Sequence, residues 1–159
     1  STRLKPIFSG FLRSLIVDQT IASSVLNFYE KARKTQVEET LEDGKTPLAA
    51  FASEGQMAGV GLALQLSMAL AYPWSRWPAV LLDDPSQFAD VVHASNLIET
   101  LRLMSRQFGF QIFLSTHERD FARYVQRKFA NDGLPATRVV FHQPRDPSSG
   151  IVPRVVAMS

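Results

Sequence analysis

The chain has 159 residues, 45% of them hydrophobic and 20% charged, which fits one soluble domain with a core of its own. It contains no cysteine, which excludes a disulfide framework and any thiolate metal site and suits a reducing compartment. Net charge is only +2, no apolar run reaches the roughly 20 residues of a membrane span, and no signal peptide is visible, so a cytoplasmic location is expected.

Residues 1–31 read as mostly helical, with Pro6 near the start and Ile7, Phe8, Phe11, Leu12, Leu15 and Ile16 at helical spacing. Val25, Leu26, Phe28 and Tyr29 fit either a second apolar helical face or a strand. Residues 36–41 and 46–51 flank Glu42-Asp43-Gly44-Lys45, and Asp-Gly between such segments signals a hairpin. A helix is expected over residues 55–72, closed by Pro73 and Pro78. Leu62, Leu64, Leu66, Met68 and Leu70 make it apolar nearly all round, which predicts burial. Residues 79–82 form a short, wholly apolar strand of the parallel, buried type.

Residues 88–108 are amphipathic through Val91, Ala94, Leu97, Ile98, Leu101 and Met104, and Gly109 ends that helix. Residues 111–114 read as a second buried strand. A further helix over residues 118–130 turns Phe121, Tyr124, Val125 and Phe129 inward. Residues 138–142 and 152–157 close the chain as an antiparallel hairpin around a loop at 144–150. Helix, strand, helix, strand, helix indicates an α/β sandwich with a parallel sheet, in a single domain over residues 1–159.

Charge is unevenly placed. Residues 1–35 carry six Lys/Arg against two Asp/Glu, residues 36–100 two against nine, and residues 101–159 nine against four. An acidic middle between basic ends fits a cation-binding centre, and equally an ordinary solvated surface.

Ligands in open α/β sheets sit beyond the carboxyl ends of the strands. Asp83, Asp84, Ser115, Thr116 and His117 all fall at such ends. An Asp after an apolar strand can hold Mg²⁺ on nucleotide phosphates, and a second carboxylate beside it can orient or deprotonate a water. Adjacent acids also repel, which raises the pKa of one unless a cation lies between them. The alternative is a helix cap made by Asp84 or Ser86. Ser53-Glu54-Gly55-Gln56 opens a helix whose free N–H groups and dipole favour a phosphate, with Gly55 allowing close approach; Ser53 also serves as a plain N-cap. His117 lies within Ser-Thr-His-Glu, where it could meet a terminal phosphate or fill a structural role. His93 and His142 have no comparable setting and receive no role. Asp43-Gly44-Lys45-Thr46 imitates the end of a phosphate-binding loop, but position 39 is Glu39 where that loop needs Gly.

Together these segments resemble the ATP-binding-cassette superfamily. Ala52-Ser53-Glu54-Gly55-Gln56 resembles its Leu-Ser-Gly-Gly-Gln signature, with Ala for Leu and Glu for the first Gly. Val80 to Pro85 resembles the Walker B strand, Pro85 to Asp90 the D-loop, and His117 matches the switch histidine. The gap of 30 residues from Ser53 to Asp83, the segment before the signature and the terminal hairpin resemble one branch: the structural-maintenance-of-chromosomes and double-strand-break-repair ATPases.

The resemblance implies an α/β fold with a parallel sheet flanked by helices and antiparallel hairpins before the signature helix and at the C-terminus: the C-terminal lobe of an ATPase head. It implies ATP and Mg²⁺ as cofactors, with Asp83 holding the metal and Asp84 at the catalytic glutamate position. Ser53, Glu54, Gly55 and Gln56 would face the γ-phosphate of a nucleotide held by another head, Asp90 would lie at the dimer seam, and His117 would sense the γ-phosphate. The implied partners are an N-terminal Walker A lobe of the same protein, a second head, and DNA by analogy, in a nucleoid-associated setting if the source is bacterial. Arg119, Arg123, Arg127 and Lys128 are candidate DNA-phosphate contacts, or simply solvated helix charge. The chain has no phosphate-binding loop and no heptad run, so weak or absent ATP binding by this chain alone is expected. The rival readings are a transporter nucleotide-binding subunit and a non-catalytic α/β interaction domain.

Overall fold

A computed structural model describes residues 3–31, 34–72, 76–85, 91–142 and 151–157. The chain divides into two compact units, residues 1–116 and 117–159.

The first unit opens with α1 (Leu4–Leu15), whose Leu4, Phe8, Phe11, Leu12 and Leu15 recur at the helical period and are buried. Pro6 sits in its first turn, where no intrahelical N–H is needed. Ile16 leaves the helix in an extended conformation. Asp18 then caps the short α2 (Gln19–Ala22), its carboxylate accepting from the Thr20 and Ile21 amides.

The β-branched and aromatic run that follows is a strand, β1 (Val25–Lys31), paired antiparallel with β2 (Lys34–Thr40). The hairpin before the signature helix is therefore present. Its β2 is the expected strand before Asp43-Gly44, but the segment after that turn adds only an antiparallel bridge from Thr40 to Pro47, with the Leu41 amide donating to the Thr46 carbonyl, and no second strand. That segment closes a local loop instead. Asp43 accepts from the Thr46 hydroxyl and from the Thr46 and Lys45 amides, which holds its carboxyl down at about 2. Gly44 supplies the positive φ of 68° that the turn demands.

Helix α3 (Glu54–Ala71) is buried along Val60, Ala63, Leu66, Ser67 and Ala71 only. The expectation of burial all round is corrected: Gly61, Gln65 and Met68, on another side of the helix, are exposed. Strand β3 (Ala79–Asp83), helix α4 (Val91–Phe108) and strand β4 (Gln111–Ser115) form a β-α-β unit. The two strands are parallel, with Asp83 opposite Ser115. Gly109, at φ 69°, ends α4 as expected. Leu97, Ile98, Leu101 and Met104 turn the helix's apolar face inward. Val80 and Leu82 of β3 are buried, but Leu81 is 67% and Phe113 42% exposed. The expected burial of both strands thus holds for one face of β3 only, because the described sheet has two strands and one covered side.

In the second unit α5 (Arg119–Asn131) buries Phe121 and Phe129, with Tyr124 and Val125 half-buried. Strands β5 (Thr137–His142) and β6 (Val152–Ala157) pair antiparallel as expected. The α/β class, the parallel pair and the two antiparallel hairpins anticipated from sequence are all present. The D-loop stretch 86–90, Pro73 and the loop at 144–150 lie outside the described residues.

Candidate functional site

Parallel pairing brings the carboxyl ends of β3 and β4 to one edge, and there the polar residues of both strands meet. The Ser115 hydroxyl donates to Asp83 Oδ1. The Thr116 hydroxyl donates to Asp84 Oδ1 at 3.2 Å. The Asp84 amide donates to the Ser115 carbonyl at 3.1 Å and lies 3.3 Å from its hydroxyl. Asp84 itself has φ 42°, the left-handed region that a non-glycine residue rarely enters. Asp tolerates that region better than most residues, and strain of this kind collects at functional positions, where surrounding bonds hold it. Two adjacent carboxylates are thus turned apart, each fixed by a hydroxyl from the neighbouring strand's end.

The start of α3 is equally ordered. Ser53 and Gln56 form a complete capping box: the Gln56 amide donates to Ser53 Oγ at 3.2 Å, and the Ser53 amide donates to Gln56 Oε1 at 2.8 Å. Because Ser53 Oγ accepts there, its own proton is directed elsewhere and can serve an anion. Free N–H groups of the first turn and the positive end of an 18-residue helix add to that preference.

Both features line one open groove of ≈ 690 Å³ in the first unit, whose walls include Ser53, Gly55, Gln56, Asp83, Asp84 and His93. The α3 wall extends from Ser53 to Gln65, roughly 18 Å at 1.5 Å per residue, and Gln65 Nε2 reaches the Leu81 carbonyl at 3.5 Å. Small residues, Gly55, Ala58, Gly59 and Gly61, keep this wall low. Glu54 is exposed and does not line the groove, so its charge is not aimed into it.

Of the residues singled out from sequence, Ser53, Gly55, Gln56, Asp83 and Asp84 share this groove. His117 is exposed and opens the second unit. Asp90 lies outside the described residues. His93, given no role from sequence, stands in the groove wall; its place in the first turn of the helix after Asp84-Pro85 was the available signal. On α5, Arg123 pairs with Asp120 at 3.5 Å, while Arg127 and Lys128 lie over the Tyr124 ring.

The donor set suits a hard cation held mainly by phosphate oxygens. Mg²⁺ commonly takes one or two protein carboxylates and completes its shell with water and phosphate. Among the described residues no group of three or more His, Cys, Asp or Glu could enclose a metal without such help. No helix among them is long and apolar enough to cross a membrane.

Neither a protein-family model nor a curated protein sequence matches this chain. Its fold does match solved structures. A chain from work on ATP-driven dimerization and DNA stimulated activation of SMC ATPases aligns with TM-score 0.63 and 16% identity, over 99% of this chain and 84% of that one. The SMC head bound to the C-winged helix domain of ScpA aligns with TM-score 0.66 and 12% identity, over 99% of this chain and 43% of that one. The SMC head domain from Thermotoga maritima aligns with TM-score 0.55 and 17% identity, over 100% of this chain and 48% of that one. The chain has the fold of SMC-type ATPase head domains, and it spans less than half the length of the latter two.

Proposed function

We propose that this chain is the C-terminal lobe of an SMC-like, coiled-coil ATPase head, in which ATP joins two heads and hydrolysis releases them. On this reading residues 1–159 form one lobe, completed by a Walker A lobe of the same protein. The observation that carries it is the β3–β4 edge, where Asp83 and Asp84 at the carboxyl end of one parallel strand meet Ser115 and Thr116 at the end of the other. The match to SMC head structures supports it through the fold. So does the open sheet: parallel strands are usually covered on both faces, and Leu81, Phe113 and Trp77 leave an apolar surface suited to a second lobe.

Asp83 would hold Mg²⁺, which when bound supplies charge neutralisation for phosphoryl transfer. Asp84 would orient or deprotonate the attacking water, with the Thr116 hydroxyl steadying one of its oxygens. Its side chain is one methylene shorter than Glu, and the unusual backbone turn at φ 42° sets where the carboxylate lies. The Ser53 hydroxyl, the Gly55 amide and Gln56 would meet the γ-phosphate of a nucleotide held by another head. Asp90 would sit at the seam, and His117, next in the chain after Thr116, would sense the γ-phosphate. DNA is proposed as the polymer acted on, in repair, recombination, chromosome maintenance or defence. Its binding should weaken steeply with salt if phosphate contacts dominate.

The test is Asp84→Asn in the complete head. ATP turnover should fall about 10²–10⁴-fold while ATP-dependent pairing of heads persists, because the change removes the base and keeps the shape. Unchanged turnover would overturn the assignment and leave an interaction domain whose acids cap helices.

A further inference from the structure

The corner between α1 and α2 grips the first turns of α3 at two points. The first is apolar. Ile16, almost fully buried, lies so close to Gly59 that a Cβ there would come within 2.5 Å of Ile16 Cδ1. The second is polar and lies one turn earlier on α3. Asp18 Oδ1 accepts from the Thr20 and Ile21 amides, at 2.9 and 3.4 Å, while Oδ2 accepts from Gln56 Nε2 at 3.4 Å.

We infer that Asp18 is a positioning residue for the Ser53–Gln56 turn: it selects the orientation of the Gln56 side-chain amide, whose carbonyl then closes the capping box on the Ser53 amide. A carboxylate only accepts, so Gln56 must turn its NH₂ toward Asp18 and its carbonyl toward the Ser53 amide. With the side-chain amide reversed, two donors would face each other at Ser53. The carbonyl would also meet the Asp18 carboxylate. The Gln56 side-chain half of the capping box therefore closes in one sense only, while the Gln56 backbone N–H donates to Ser53 Oγ in either case. The Asp18–Gln56 bond also ties α2, which leads into the β1–β2 hairpin, to the turn that would read the nucleotide.

This inference rests on the reading of that turn as a phosphate contact, and charge and positioning predict opposite signs for its test. Removing a negative charge near a polyanion should by itself strengthen nucleotide-dependent association. Losing the orientation of Gln56 should weaken it. Asp18→Asn separates the two, since Asn caps α2 as well as Asp and replaces only the acceptor facing Gln56.

The experiment measures ATP-dependent pairing of complete heads for Asp18→Asn, Gln56→Ala, Ser53→Ala and the Asp18→Asn/Gln56→Ala double variant, with thermal midpoints alongside. Asp18→Asn should raise the ATP concentration needed for half-maximal pairing roughly tenfold, while the midpoint moves no more than for an ordinary surface substitution, because the bond is long and exposed. The effect should vanish in the Gln56→Ala background. If Asp18→Asn pairs as well as or better than the parent while Ser53→Ala fails to pair, positioning is overturned and the phosphate reading stands. An equal loss in the Gln56→Ala background overturns positioning too. If Ser53→Ala and Gln56→Ala both pair normally, the phosphate reading falls with it.

Discussion

The start of the α3 wall closes its capping bonds, with Ser53 and Gln56 forming a capping box and Asp18 accepting from the Gln56 side-chain amide. The β3 wall stops at two parallel strands whose outward residues, Leu81 and Phe113, face solvent. Both walls carry residues proposed to meet nucleotide, yet among the described residues only the α3 start closes its bonds through residues three positions apart. Hydrogen bonding is local at a helix start: an N-cap and a residue three positions on complete it. A parallel sheet has no such local remedy, since each strand needs neighbours delivered by long crossovers and cover on both faces. The turn proposed to meet phosphate is thus closed by its neighbours in sequence, whereas the β3–β4 pair leaves one apolar face exposed.

Substitutions on the inner face of β3 should show the largest effect on stability. Leu82 is 6% exposed, and Leu82→Ala should lower the unfolding free energy of this chain by about 2–5 kcal/mol in urea titration, the range for emptying a core leucine site. A loss below about 1 kcal/mol would mean that even the inner face of the sheet is loosely held, and the contrast between the walls would then sharpen. At the other wall Ser53→Ala should cost about 1 kcal/mol through the lost cap. If it costs nothing, the α3 start is not self-contained, and the two walls do not differ in this respect.

Periodicity and turn chemistry made the helices and the parallel pair legible, since α1, α4 and α5 each carry an apolar stripe that survives packing. They could not choose between helix and strand for Val25–Lys31, where apolar residues fit both periods. The Asp43-Gly44 signal was real as a turn and held for one antiparallel bridge, Thr40 to Pro47, but β2 finds its full partner in β1 on the other side. At the groove, the placement of Asp83 and Asp84 at a strand's carboxyl end was readable from the apolar run that precedes them. Asp18 was not: it reaches Gln56 across 38 residues of chain, a neighbour that only the docking of α1 on α3 creates. The open face of β3 was hidden for a related reason, since an apolar strand looks the same whether its cover comes from its own chain or from another.

The smallest effect on this chain and the most informative one coincide at Leu81. The residue is 67% exposed, so Leu81→Ser should change the stability of this chain by no more than about 0.5 kcal/mol, as surface substitutions do. In the complete head the same change should be costly. Burying a serine hydroxyl without a partner and forgoing a leucine contact each cost on the order of 1–3 kcal/mol, and both fall on the joint between lobes. Parallel melting of the isolated chain and of the complete head therefore reads the interface directly. An equal, small shift in both would show that the Leu81 face stays in water in the assembled protein. The β3 wall would then be finished as it stands, and its exposed apolar surface would need another explanation than a missing lobe.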